Sequence, residues 1–321
     1  MSDFTAASYT DDDGWDAFVR RSPHGSPFML SSMLRASSEN VERWALFEQG
    51  QPVAIAPVFL DANGLPVPPG AFMLYQGMLL EPVEPAKRQS DLTRKFRITE
   101  TFLNALSTRF SGLEFHQHWA FEDLRPFQWM NYHEPRKGQF GIRLLYTGIA
   151  NLGAWGDFES YLACIRTLRR REYKRALPIT AYEEPSDIEG LLDLHDKTYQ
   201  RQGIVLADGL REHRRRIVTA GLEGGFGKLA CARTESGVAS MIYFLYHGDT
   251  AYYLFGANDP EQRDSGASTG LMLHMIKDAF GQGIARVDFC GINSPTRGDF
   301  KISLCGEPVP YFLLSFKAGE G

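Results

Sequence analysis

The sequence predicts an α/β chain with mixed sheets, divided into two domains, and three observations carry that reading. At 321 residues the chain exceeds the ordinary size of one domain. With 43% hydrophobic and 23% charged residues it has a globular composition, which sets aside disorder, collagen-like repeats and coiled coil. Its second half alternates strand and helix patterns, the mark of a sheet covered by helices. The boundary is expected near 149–156, giving domains 1–150 and 151–321.

In the first half, DDDGWDAFVRRS reads as a short helix with Trp15, Phe18 and Val19 on one face. WALFEQGQPVAIAPVFL reads as two strands of a hairpin around Gly50. Pro66, Pro68 and Pro69 make the next stretch a loop, and AFMLYQGMLL follows as a buried strand. Phe96, Leu103, Leu106 and Phe110 recur near helical spacing. LEFHQHWAF then reads as a strand and RPFQWMNYHEPRKG as an irregular connection.

In the second half, FESYLACIRTLRRREYKRAL reads as one helix stopped by Pro178. PITAYEE is a short strand. DIEGLLDLHDKTYQRQG is a helix with Ile188, Leu191, Leu192 and His195 on one stripe, and GLREHRRRIVTAGLEGG a polar helix. Three strands, GKLACART, GVASMIYFLYHG and TAYYLFGAN, form a meander. SGASTGLMLHMIKDAFGQG is a helix, and ARVDFCG and VPYFLLSF are the last strands.

Composition also bounds the chemistry. Cys164, Cys231, Cys290 and Cys305 are far apart and form no C-x-x-C pair, so they read as reduced and mostly buried, without a metal site. The acidic N-terminus has no apolar run behind a basic one, and no stretch is long enough to span a bilayer. The cytoplasm is therefore the expected location. A net charge of -5 argues against a chain coated in nucleic acid, while leaving room for a local basic surface. There is no G-x-S-x-G elbow, H-E-x-x-H or Walker motif, so serine hydrolase, zincin and P-loop readings have no support.

The order of the second half resembles the GNAT superfamily of N-acyltransferases, and a more specific likeness lies between Gly266 and Gly306. There Gly266-Ala267-Ser268, Gly283, Val287-Asp288-Phe289-Cys290-Gly291-Ile292, Phe300-Lys301 and Cys305-Gly306-Glu307 resemble the FemAB family. LRRREYKRA and the segment from Asp123 to Tyr132 resemble further parts of FemAB-like proteins. The resemblance implies two GNAT-like acyltransferase domains in tandem. It further implies transfer of an activated aminoacyl or acyl group to an amine, with aminoacyl-tRNA as donor and tRNA as partner. Two departures bear on the donor. Arg263 to Ser268 meets all but the last position of the Gln/Arg-x-x-Gly-x-Gly/Ala loop of acyl-CoA users, which keeps acyl-CoA open. Leu304-Cys305-Gly306 stands where FemAB proteins tend to show Phe-Gly-Gly. No tightly bound cofactor is implied; the donor is a co-substrate and the acceptor a small-molecule or peptide amine. The alternative is a non-catalytic ligand-binding protein with a degenerate acyltransferase fold.

Acyl transfer to an amine needs the carbonyl and the amine held together, with positive charge or N–H donors where the oxyanion forms. The Phe-Lys match makes Lys301 the first catalytic candidate, read as a lysine just before a strand. Tyr252 and Tyr253 point to opposite faces of one strand, so one belongs to the core and the other lines the cleft as proton relay or substrate contact, with Tyr253 taken as the catalytic candidate. Asp288, in an apolar strand, is either a general base or a structural acceptor for nearby backbone or Arg263. Arg166, Arg170 and Lys174 fall four apart on one helix face and suit donor phosphates, with Arg211, Arg214, Arg215 and Arg216 as an extension. Arg263, Gly266, Ala267 and Ser268 precede a helix whose N-terminus favours anions, with Ser265 the expected cap. Asn293, Arg297 and Phe300, after a strand's C-terminal end, join Tyr252 as substrate-binding candidates. His116, His118, His133 and His195 show no metal-ligand spacing. Phe127, Trp129 and Tyr132 either line an acceptor cleft between the domains or pack in the interior.

Overall fold

A computed structural model describes residues 4–82, 88–201, 203 and 206–319, except for the side chains of Arg88, Thr296 and Arg297. The chain forms two compact units, one of residues 1–145 with 310–321 and one of residues 146–309. They differ from a single cut between 150 and 151 in that the last twelve positions, 310–321, belong with the first unit. Among the described residues no helix is long and apolar enough to cross a membrane.

The first unit holds a four-stranded sheet, β1 (Phe4–Ser8), β2 (Val41–Glu48), β3 (Gln51–Phe59) and β4 (Leu79–Leu80), in that order. Helices α1 (Asp12–Arg21), α2 (Ser31–Ser37), α3 (Arg88–Arg109) and α4 (Arg125–Trp129) accompany it. The amphipathic α3 buries Ile98, Phe102, Leu103 and Leu106 against Ala54, Ala56 and Val58 of β3, in a core that also takes Phe115, Phe127 and Phe140. Strand β5 (Gly112–His116) pairs antiparallel with β12 (Glu307–Lys317), matching Leu313 to His116. This pairing returns the end of the chain to the first unit.

The second unit holds a mixed sheet. The order is β6 (Phe140–Asn151), β11 (Arg286–Asp288), β10 (Thr250–Asn258), β9 (Gly237–His247), β8 (Gly227–Thr234) and β7 (Ala181–Glu183). Strands β7 to β10 form an antiparallel meander. Helix α9 (Ala267–Gly281) crosses from β10 to the parallel strand β11, as a parallel pair requires. Leu271, Met272, Met275, Ile276 and Ala279 of α9 are fully buried in the core with Ala230, Ile242 and Phe244. The remaining helices are α5 (Phe158–Cys164), α6 (Thr167–Ala176), α7 (Ile188–Arg201), α8 (Leu210–Glu223) and α10 (Pro295–Ile302).

Five expectations are corrected. The helix expected from Phe158 onward is two, because the chain breaks at Ile165–Arg166 and the Arg166 N–H bonds to the Ser303 carbonyl, 3.0 Å away, instead of continuing the first helix. AFMLYQGMLL is strand only at Leu79–Leu80, since Phe72 and Tyr75 take φ of 65° and 55°, which no strand accommodates. LEFHQHWAF is strand only over β5, and the irregular connection contains the short helix α4. Lys301 does not precede a strand but rides on α10, whose start at Ser294-Pro295 carries the familiar proline at the first helical turn.

Candidate active site

The site grows from the end of the parallel strand pair. Strand β10 runs beside β11 only as far as the match of Tyr252 with Asp288, then continues to Asn258 with an irregularity between Tyr253 and Phe255. Beyond Asp288 the chain turns through Cys290 and Gly291 at φ of 54° and 85°. Asp288, fully buried, holds that turn. Its Oδ1 accepts from the Thr147 hydroxyl at 2.5 Å and from the Cys290 N–H at 2.8 Å, and the Thr147 oxygen accepts from the Gly291 N–H at 3.1 Å. A buried carboxylate is tolerated when hydrogen-bonded in this way. Of the two roles weighed for Asp288, these contacts match the acceptor of nearby backbone, with Thr147 rather than Arg263 as the side-chain partner.

The turn presents the Cys290 and Gly291 carbonyls to Lys301, whose Nζ donates to them at 3.2 and 2.6 Å. The same ammonium lies 5.7 Å from the centre of the Tyr253 ring. Tyr253 is half-buried and packs on Phe244, and its hydroxyl fills the space above Gly256, where any Cβ would collide with it. Tyr252, expected among the substrate-binding residues, is instead the core tyrosine at 2% exposure, where it faces packed side chains and not a cleft; burial, then the Asp288 carboxylate, pushes its phenol far above the usual range. Burial and Asp288 likewise push the Cys290 thiol up, with Lys301 pulling the other way. Lys301, Tyr253 and the turn after Asp288 thus meet at one place.

The substrate-binding candidates divide. Asn293 spends its amide on the backbone of Tyr146, accepting from the N–H at 2.8 Å and donating to the carbonyl at 3.0 Å. Phe300, beside Lys301 on α10, lies 4.9 Å under the Arg169 guanidinium. The Arg297 side chain lies outside the described residues.

The donor candidates lie on α6 and before α9. Arg166 is bidentate to Asp299, with both contacts at 2.9 Å; the pair raises the Arg166 pKa and lowers that of Asp299. Arg170 donates to the Thr167 hydroxyl at 3.0 Å, while its buried Nε has no partner. Lys174 and Arg263 are exposed. The N-cap of α9 is Gly266 rather than the expected Ser265, whose hydroxyl, one residue earlier, accepts from the Ala267 N–H at 3.1 Å. Gly266, at φ 80°, comes so near α6 that a Cβ would stand 2.5 Å from the Glu172 carbonyl. Ala267 is buried and Ser268 half-buried. The Glu172 carboxylate accepts from Thr269 in the first turn of α9 and from Arg169, each at 2.6 Å.

Three arginines of the second cluster are paired with nearby carboxylates. Arg211 meets Glu189, Asp193 and Asp196, Arg215 meets Glu189 and Glu212, and Arg214 meets Asp196 and His195. Among the described residues no three His, Cys, Asp or Glu side chains are placed to hold a metal. Phe127 is core, whereas Trp129 and Tyr132 are exposed at 52% and 65%. Sequence reasoning missed Thr147, whose only signal is a hydroxyl in an apolar strand, and passed over Arg169 and Glu172 as ordinary members of a charged helix.

A family model described as an acetyltransferase (GNAT) domain matches residues 162–301. None of the curated proteins matches the chain in sequence. Among solved structures, the crystal structure of FemX is similar at TM-score 0.70 and 12% identity, covering 96% of each chain. A tandem GNAT protein from the clavulanic acid biosynthesis pathway is similar at TM-score 0.57 and 13% identity, over 99% of this chain and 100% of that one. The C-terminal domain of a putative lysylphosphatidylglycerol synthetase from Agrobacterium fabrum is similar at TM-score 0.54 and 10% identity, over 96% and 91%. At such identities the structures speak for the fold, and the family model for the domain within it. Residues 162–301 thus match a GNAT acetyltransferase domain, and the chain as a whole has a fold similar to those of FemX and the tandem GNAT protein.

Proposed function

We propose that the protein transfers an aminoacyl group from aminoacyl-tRNA to the amine of a small molecule or peptide. The observation that carries the choice of donor is Glu172. A coenzyme A pyrophosphate would seek the N–H groups and positive dipole end of α9. There the Glu172 carboxylate already accepts from Thr269, and the α6 backbone lies against Gly266. A pyrophosphate at that turn would have to displace the Glu172 carboxylate from Thr269. An aminoacyl ester asks less of that turn, because the phosphates of tRNA can meet exposed cations such as Lys174 along α6.

In this reading the amine attacks the ester carbonyl directly. A C–N bond forms, the ester C–O bond breaks, and the proton lost by the amine ends on the departing ribose oxygen. The Lys301 ammonium, fixed by two carbonyls, supplies positive charge to the oxyanion, and the Tyr253 phenol beside it relays the proton. Acyl-CoA is the second reading, favoured by the acetyltransferase description of the family model.

Titrating bulk aminoacyl-tRNA and acetyl-CoA separately, at low and high salt, distinguishes the two. Saturable binding of aminoacyl-tRNA that weakens with salt, with no binding of acetyl-CoA, is expected. Tight acetyl-CoA binding that competes with sulfate would overturn the choice of donor.

A further inference from the structure

Lys301 and the first turn of α9 belong to different elements, and one pair of half-buried charges joins them. Arg169 and Glu172 lie three apart on α6, with side-chain exposures of 15% and 18%. Toward α10, the Arg169 Nε donates to the Ser303 hydroxyl at 2.9 Å, and its guanidinium covers the Phe300 ring at 4.9 Å. Ser303 in turn donates to the Phe300 carbonyl at 2.6 Å. These contacts fall one residue before and two after Lys301, so they fix the rotation of α10 about its axis. Toward α9, the Arg169 Nη1 and the Thr269 hydroxyl share the Glu172 Oε2, each at 2.6 Å.

We infer that Arg169 and Glu172 are positioning residues that tie the first turn of α9 to the helix carrying Lys301. The inference rests on Lys301 acting at the acyl centre. A planar guanidinium holds its donors in a fixed fork, so Arg169 reaches Ser303 and Glu172 from two different nitrogens while its flat face lies on Phe300, a spread that the single nitrogen of an ammonium does not offer. Binding at the α9 turn therefore bears on Glu172, Arg169 and the seat of Lys301 in sequence, through a hydrogen-bonded network little exposed to water.

The test begins with Lys301 itself, so that it holds whatever the donor is. The folded protein is pulsed with a trace of acetic anhydride, and acetylation of Lys301 is read by mass spectrometry against the other lysines. In Arg169→Lys and in the milder Glu172→Gln, with folding confirmed by circular dichroism, labelling of Lys301 is expected to rise about tenfold as its restraint loosens. Lysines on other elements should stay unchanged. Labelling of Lys301 within twofold of wild type in both folded variants overturns the tie.

A kinetic cycle on transfer from aminoacyl-tRNA then separates this inference from the proposed function. Arg169→Lys should lower kcat roughly tenfold or more with little change in donor KM, since small misplacements of a catalytic group are expensive. The effect should vanish in a Lys301→Ala background. Independent, additive losses would sink the tie while leaving Lys301 in place; wild-type turnover of Lys301→Ala would sink the role of Lys301 and leave the labelling result standing.

Discussion

Helices α6 and α8 look alike in sequence, each crowded with arginine, yet the fold treats them oppositely. Facing α8, helix α7 presents Glu189, Asp193 and Asp196 at helical spacing, and these carboxylates take up Arg211, Arg214 and Arg215. Arg214 has no exposed surface at all. Around α6, among the described residues, Asp299 and Glu172 are held by Arg166 and Arg169, and neither Arg170 nor Lys174 makes an ion pair. The density of arginine therefore says little about phosphate binding. What decides is whether the neighbouring element returns the charge.

The sharpest way to break this contrast is to remove a cation from each side. Arg214→Met leaves Asp196 with Arg211 alone and takes the guanidinium from His195, and should lower the unfolding free energy by about 2 kcal/mol, read by urea denaturation, with donor affinity unaltered at temperatures where the variant is folded. An equally weak donor and an undiminished stability would mean that α8 is the binding helix after all.

At the centre of the site, Lys301→Ala should lower kcat roughly 10²-fold while donor affinity barely moves. Lys301→Arg should restore little, because an oxyanion contact is geometrically strict. If instead donor binding weakens and arginine rescues it, Lys301 grips phosphate.

A third region tests what happens to a buried base given no carboxylate. His24 in the first unit is 5% exposed and packs on Phe121, and burial, with Lys95 adding to it, lowers its pKa to about 3 from 6.5. It is neutral in the fold and protonated in the unfolded chain between those values, so stability is full above pH 6.5 and lost as pH falls. Between pH 7 and 5 the loss should reach about 2 kcal/mol; His24→Gln should flatten that slope, and an unchanged slope would clear His24.

The smallest effect is expected on α6. Arg170→Ala and Lys174→Ala should each weaken aminoacyl-tRNA binding a few-fold, roughly the worth of one exposed phosphate contact, and make it less sensitive to salt. Thermal melts should not move.

Much of this was legible in the residues. The meander, the crossover helix α9 and the amphipathic α3 follow from periodicity alone, because the apolar positions of each face the core of its own unit. Tyr252 and Tyr253 divide between core and site as strand alternation requires. Contacts distant in sequence were not legible. Gly266 reads as a phosphate turn, but in the fold it also gives room to the α6 backbone, and nothing local distinguishes the two reasons for a glycine. Helix α10 hides behind Gly298, although Ser294-Pro295 marks its start. The pairing of Arg166 with Asp299 spans 133 positions, beyond the reach of any local pattern.

The turn at Cys290 and Gly291 has a last consequence, for molecules other than the protein's own substrates. Two carbonyl oxygens aimed at one point form a small seat for a compact cation. Once Lys301 is shortened to alanine the seat is vacated but not destroyed, since Asp288 and Thr147 still hold it from behind. Methylamine or ethylamine supplied in the buffer should settle there as the detached head of the missing side chain. Activity recovered in proportion to such an amine's size and concentration would turn this corner of the backbone into a receptor whose dimensions can be measured from solution.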